Sequence, residues 1–133
     1  MRTIIHSQGI SITDAIRNHL ERRLTTSLRR FEQRISFVDV YIRDLNGSDK
    51  GGEDKRVLLK VHVPGLSAVV VENASDDLYK SISVAARRAK RALKRALRRQ
   101  QRSERKQLLQ KELDRLPGLT GVRVNTLHPL DKP

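Results

Sequence analysis

The sequence has no cysteine and no tryptophan, a single methionine, and only four aromatic residues, Phe31, Phe37, Tyr41 and Tyr79, among 133. Without cysteine there is no disulfide framework, no thiolate metal site and no cysteine nucleophile. His6, His19, His62 and His128 are the only histidines, and no two have a metal-binding spacing such as His-Glu-x-x-His. Gly47-Ser48-Asp49-Lys50-Gly51-Gly52 lacks the Gly-x-x-x-x-Gly-Lys-Ser/Thr arrangement that wraps amides around phosphate, and reads as a flexible loop. No apolar run is long enough to span a membrane, and the Ile4-Ile5 pair is far short of a signal-peptide core. With no nucleophile, metal or acid-base cluster in view, the expectation is a cytoplasmic protein that is not an enzyme and needs no cofactor or metal.

Acidic residues are the next scarcity. Between Arg87 and Arg102 there is none, while Arg87, Arg88, Lys90, Arg91, Lys94, Arg95, Arg98, Arg99 and Arg102 all fall in this stretch. At about 100° per residue these cations fill roughly half of a helix. Leu78, Ile82, Ala85, Ala86, Ala89, Ala92, Leu93, Ala96 and Leu97 fill the complementary arc. A merely solvated helix surface normally mixes signs, with Glu or Asp four residues from Lys or Arg. A one-sign arc points instead to a polyanion, and its size suits nucleic acid. The opposite arc is mostly alanine, too weakly apolar for membrane insertion, so no membrane partner is expected. The net charge of +13 is concentrated in the same half of the chain: Met1 to Ser75 carries 12 basic and 9 acidic residues, Asp76 to Pro133 carries 16 and 6.

Residues 2–7 read as a short strand. Thr13 and Asp14 then open a helix whose Ile16, Leu20, Leu24, Leu28 and Phe31 form one apolar stripe. Arg22-Arg23 and Arg29-Arg30 are doublets seven residues apart, which on one helix makes a second, smaller basic surface. From Phe37 to Arg43 the period becomes two, with Val38, Val40 and Ile42 opposite Asp39, Tyr41 and Arg43. A polar loop over 44–54 leads to a third strand with Val57, Leu59, Val61 and Val63 on one face. Pro64-Gly65 is a turn, Ala68 to Val71 a fourth strand, and Ser75-Asp76-Asp77 the cap of the basic helix. Helical spacing persists to about Leu116, where Pro117-Gly118 stops it.

The order is β-α-β-β-β-α, an α+β fold. A helical crossover makes the first two strands parallel, and the next three form an antiparallel meander, giving a four-stranded mixed sheet. Both helices, each with a single apolar stripe, cover one face of it. Side by side, they would merge the doublets and the Arg87 to Arg102 surface into one basic region. Phe31 and Phe37 read as core, Tyr79 as packed beside its helix start, and His6, His19 and His62 as solvent-side residues. Tyr41 alone is placed to stack on a base.

Gly9-x-x-Ile12-Thr13-x-Ala15-Ile16-Arg17, the helix after it, the Pro64-Gly65 turn and Asp77-Leu78-Tyr79-x-x-Ile82 at the start of the basic helix together resemble the ribosome hibernation-promoting factor family. That family includes the ribosome-associated inhibitor proteins, also called sigma-54 modulation proteins or ribosomal subunit interface proteins. The resemblance covers about Met1 to Arg99. It implies a fold similar to a double-stranded-RNA-binding domain, and binding in the small ribosomal subunit near the decoding region, where messenger and transfer RNA are excluded. Arg17, Arg22, Arg88, Arg91 and Arg95 match the family's basic positions; Arg23, Arg29, Arg30, Arg87, Lys94, Arg98 and Arg99 add charge nearby. Such residues touch phosphate more than base. The partners so implied are the small ribosomal subunit and its RNA; a general RNA-binding or RNA-chaperone-like protein is the alternative.

The chain departs from the family pattern after Arg99. The 34 residues that follow are too few for the separate domain by which long members pair ribosomes, and they are not the acidic tail of some short members. Residues 1–100 therefore read as the binding domain and 101–133 as a helical extension and flexible tail. Leu108, Leu109, Leu113 and Leu116 return at helical spacing there, with no strand left to cover, and are candidates for self-association.

Overall fold

The computed structural model describes residues 1–45, 54–118 and 121–124. The elements are β1 (Arg2–Gln8), α1 (Asp14–Leu28), a 3-10 helix (Arg29–Arg34), β2 (Phe37–Asp44), β3 (Lys55–His62), β4 (Val69–Ser75) and α2 (Leu78–Arg115). This is the expected α+β order. The chain divides into two compact units, Met1–Ala96 and Leu97–Pro133, and α2 runs from the first into the second. The glycine-rich loop expected after Asp44 falls in 46–53 and His128 in the tail, both outside the described residues.

Thr13 is the N-cap of α1: its backbone is extended, and its hydroxyl accepts a hydrogen bond from the Ile16 amide at 3.2 Å, a cap worth about 1 kcal/mol. Ile16, Leu20, Leu24 and Leu28 are buried along one stripe. The stripe does not continue to Phe31 as expected. At Arg29 the helix tightens into the 3-10 segment, Phe31 is only half-buried, and Ile35 is the next residue sealed in the core. A 3-10 turn advances about 120° per residue, so the α-helical spacing no longer selects the inward side chain.

The sheet order is β1-β2-β3-β4. β1 runs parallel to β2, with Ile5 beside Val40; β2–β3 and β3–β4 are antiparallel, with Val40 opposite Leu59 and Leu59 opposite Val71. The two-residue period sorts the faces. Val38, Val40, Ile42, Val57, Leu59 and Val61 are buried against the helices, as are Ile82, Ala85, Ala86, Ala89 and Leu93 of α2. Asp39, Tyr41, Leu58, Lys60 and His62 alternate with them on the opposite, open face and are half-buried. Ser81 of α2, fully buried, donates its hydroxyl to the Lys55 carbonyl at 2.8 Å.

β4 is longer than its apolar run. Glu72 to Ser75 have low strand propensity, yet β3 supplies a full ladder of partners, and pairing extends to Lys55 opposite Ser75. Ser75 is consequently the last strand residue, and its hydroxyl accepts from the Asp77 amide at 3.2 Å at the start of the helix. Asp77 is the cap, its carboxylate accepting from the Tyr79 amide at 3.0 Å. The Pro64-Gly65 turn is present, with the Leu66 amide bonded to the Val63 carbonyl at 3.0 Å and Gly65 at φ +86°, as a type II turn requires. Gly9 has φ +77°, and a Cβ there would lie 2.9 Å from the Asp44 carbonyl oxygen. The β2–β3 pair is closed at its loop end by the Leu45 amide on the Asp54 carbonyl and by Lys55, which bonds Asp44 at 2.9 Å and Asp54 at 3.3 Å.

In the second unit α2 ends at Arg115, just before Pro117-Gly118. Gly118 and Gly121 adopt φ +80° and +91°, and the chain turns back so that the Gln110 side chain donates to the Val122 carbonyl and accepts from the Val124 amide, at 2.6 and 2.9 Å. Among the described residues no helix is long and apolar enough to cross a membrane.

Candidate nucleic-acid interface

Arg88, Arg91 and Arg95, at i, i+3 and i+7, share one flank of α2 and line an open groove with Val71 and Glu72 of β4. β4 is an edge strand, so its outward backbone groups are unpaired by the sheet. Arg88 uses one: its guanidinium donates to the Glu72 carbonyl at 2.7 Å. Arg91 and Arg95 make no ion pair among the described residues, which leaves both forks available to phosphate oxygens. Arg87 is exposed on the outer arc and Lys94 is half-buried beside it. Arg98 and Arg99, also exposed, fall after Ala96 in the second unit.

Arg17, Arg22 and Arg23 are exposed on α1. Arg29 and Arg30 are exposed too, but on the 3-10 segment rather than on α1, so the two doublets do not stack two turns apart. Arg30 instead lies over the Phe31 ring, 5.6 Å from its centre. The two helices meet through His19, whose Nε2 sits 3.1 Å from the Tyr79 carbonyl and 3.2 Å from the Ser83 hydroxyl, with its ring edge-on to Tyr79. His19 is thus a bridge between helices, not a solvent-side residue. Ser83 and Arg88 stand about 140° apart on α2, so the flank that carries Arg88 is turned away from α1. The groove takes in none of the α1 arginines.

The open face of the sheet holds a second cluster. Asp39 receives His6 Nε2 at 3.2 Å on one carboxylate oxygen and His62 Nε2 at 3.0 Å on the other. His6 stacks on Tyr41 with ring centres 4.5 Å apart, and Phe37 stacks on His62 at 4.1 Å. Phe37 therefore belongs to this face and not to the core, as its parity with Asp39 and Tyr41 requires. Burial pushes the Asp39 carboxyl up, but the hydrogen bonds and charge of His6 and His62 outweigh it and hold Asp39 below the usual carboxylate range. Spacing along the chain gives no sign of this cluster. It is assembled by register, which sets Asp39 beside Ile4 of β1 and opposite Lys60 of β3. Among the described residues no group of three or more His, Asp or Glu is placed to hold a metal ion.

Fold and groove together define a small α+β domain with a cationic flank on its second helix. The chain belongs to the family described as sigma 54 modulation protein / S30EA ribosomal protein, whose model matches residues 3–101. Among solved structures it is similar to the N-terminal domain of Protein Y from Thermus thermophilus, at 30% identity and a TM-score of 0.56, covering 71% of this chain and 98% of that one. A ribosomal subunit interface protein from Coxiella burnetii shares the fold at 23% identity and a TM-score of 0.58, covering 71% and 96%. No curated protein matches the chain.

Proposed function

We propose that this protein is a cytoplasmic, non-enzymatic translation inhibitor of the hibernation-factor kind. It occupies the small ribosomal subunit near the decoding region and excludes messenger and transfer RNA. The observation that carries this reading is the Arg88, Arg91 and Arg95 groove in a member of the S30EA family. Guanidinium forks at this spacing suit successive phosphates of structured RNA, which is recognised through backbone and shape. Arg17, Arg22, Arg23, Arg29 and Arg30 give a second line of phosphate contacts, and Arg87, Lys94, Arg98 and Arg99 add further cationic charge on α2. Residues 1–100 carry the binding, and 101–133 form the extension that follows it.

Cosedimentation with purified small subunits tests it. The expected result is saturation at one copy per subunit and displacement by transfer RNA bound at the decoding region. Binding of many copies, in proportion to RNA length and indifferent to transfer RNA, would overturn the site-specific reading in favour of a general RNA binder.

A further inference from the structure

The open face of the sheet carries a groove of about 350 Å³, remote in character from the arginine flank of α2. Its floor is Tyr41, Leu58 and Val70, brought together by register: Tyr41 lies opposite Leu58 on β2–β3, and Val70 opposite Lys60 on β3–β4. Val70 is half exposed, an uncovered apolar side chain on a solvent-facing sheet. Arg43, Arg56 and Lys60 stand around that floor. The one acid among the lining residues, Glu72, forms an exposed ion pair with Arg56 at 4.0 Å, too long for a hydrogen bond. Arg56 Nε is buried, and among the described residues it has no hydrogen-bond partner. Arg43 and Lys60 make no ion pair among the described residues. The lining is thus apolar and aromatic at the base and cationic around it.

Tyr41 is held ready for a flat ligand. His6 stacks on it at an interplanar angle of 13°, and His6 is itself anchored to Asp39 at 3.2 Å. A ring fixed in this way loses little freedom when another ring lands beside it. Aromatic side chains on an open sheet, flanked by cations, are the means by which single-stranded nucleic acid is bound with little regard to sequence. A purely anionic partner, such as an acidic peptide, would use the cations and leave the aromatic and aliphatic floor without a function. A nucleotide unit uses both, because its base is flat and apolar on its faces while its phosphate is charged.

We propose that this face is a second nucleic-acid site, which takes single-stranded RNA by seating a base on the Tyr41, Leu58 and Val70 floor and its phosphate among Arg43, Arg56 and Lys60. It does not depend on the ribosomal reading above. The two faces would then divide the work: α2 meets the backbone of structured RNA, and the sheet meets an unpaired strand.

The test uses the full chain, isotopically labelled, titrated with a single-stranded RNA hexamer and separately with a short RNA duplex. The expected result is hexamer-induced amide shifts at Tyr41, Leu58 and Val70. Tyr41→Ala and Lys60→Glu should each weaken the hexamer about tenfold, the loss typical of one stacked base, while changing duplex affinity by less than about twofold. A glutamate hexapeptide should leave these amides unmoved. Shifts confined to α1 and α2, the same shifts with the peptide, or folded variants that hold the hexamer as tightly as the parent would each overturn the proposal. Should Tyr41→Ala fail to fold, Lys60→Glu and the shift map decide. Cosedimentation with small subunits reads the ribosomal proposal separately, since neither Tyr41 nor Lys60 belongs to its residue set.

Discussion

The guanidinium of Arg88 is 2.7 Å from the carbonyl oxygen of Glu72, so a residue of the cationic helix is hydrogen-bonded to the free edge of the sheet. Arg88 therefore has a structural task that Arg91 and Arg95 lack. Arg88→Glu should lower stability by about 1 kcal/mol, the order of a charge-assisted but solvent-exposed hydrogen bond. Arg91→Glu and Arg95→Glu should stay within about 0.5 kcal/mol of the parent. All three together should abolish small-subunit binding, and thermal melts beside cosedimentation separate the two effects. Equal stability losses at all three positions would contradict this division.

Binding through phosphate should depend steeply on salt. With roughly six phosphates engaged, affinity for the small subunit falls by about 10³ between about 50 and 200 mM monovalent salt, taking duplex DNA as the guide. A titration series at fixed magnesium measures it, and a flat response is incompatible with an arginine-phosphate interface.

Leu93 is fully buried beneath α2, and Leu93→Asp places an unpaired carboxylate there. The loss should be on the order of 4 kcal/mol, enough to unfold most of a marginally stable domain. Circular dichroism and proteolysis read the outcome. Native-like stability of this variant would mean that α2 is not packed as described.

Asp39 titrates below its ordinary range because two histidines hold its charged form. At acidic pH the unfolded chain then binds more protons at this position than the folded one, so folding stability rises with pH through that window. The contribution is complete above the unfolded carboxyl value of about 3.9 and disappears as pH falls through the lower folded value. Denaturant melts from neutral pH to about pH 3 should show a smaller acid-induced loss in Asp39→Asn than in the parent. Parallel losses in both proteins would remove Asp39 as a source of the acid sensitivity.

Leu108, Leu109 and Leu116 are 63%, 49% and 49% exposed, and Leu113 is half-buried. If this cluster mediates self-association, Leu109→Glu with Leu116→Glu shifts the mass measured by light scattering toward monomer without changing subunit affinity. A concentration-independent monomer for both proteins rules self-association out.

Much of this architecture is legible in the chain because its determinants are local. Thr13 caps the turn that follows it, alternation in 38–42 and 57–61 sorts two faces, and the acid-free arc of α2 is plain from charge alone. What was not legible depends on contacts between distant segments. The reach of β4 to Ser75 is dictated by β3, the shift to a 3-10 turn at Arg29 moves Phe31 off the core stripe, and His6, Asp39 and His62 meet only once three strands are in register. His19 was similarly hidden, because its partners lie 60 and 64 residues away. That the α2 groove takes in none of the α1 arginines depends on which flank of α2 meets α1, which periodicity within one helix does not reveal.

The strands lie in the sheet in the order in which the chain presents them, and this bears on how the molecule is made. During synthesis β1 emerges without a neighbour and waits until Phe37 and the residues after it arrive to pair with it. At about 5–20 residues per second that interval is a matter of seconds. Each later strand docks on an edge already present, and the helix that carries the arginines comes last. The acid-free run from Arg87 to Arg102 is thus synthesised only after all four strands, whereas the arginines of α1 and of the 3-10 segment emerge before β2.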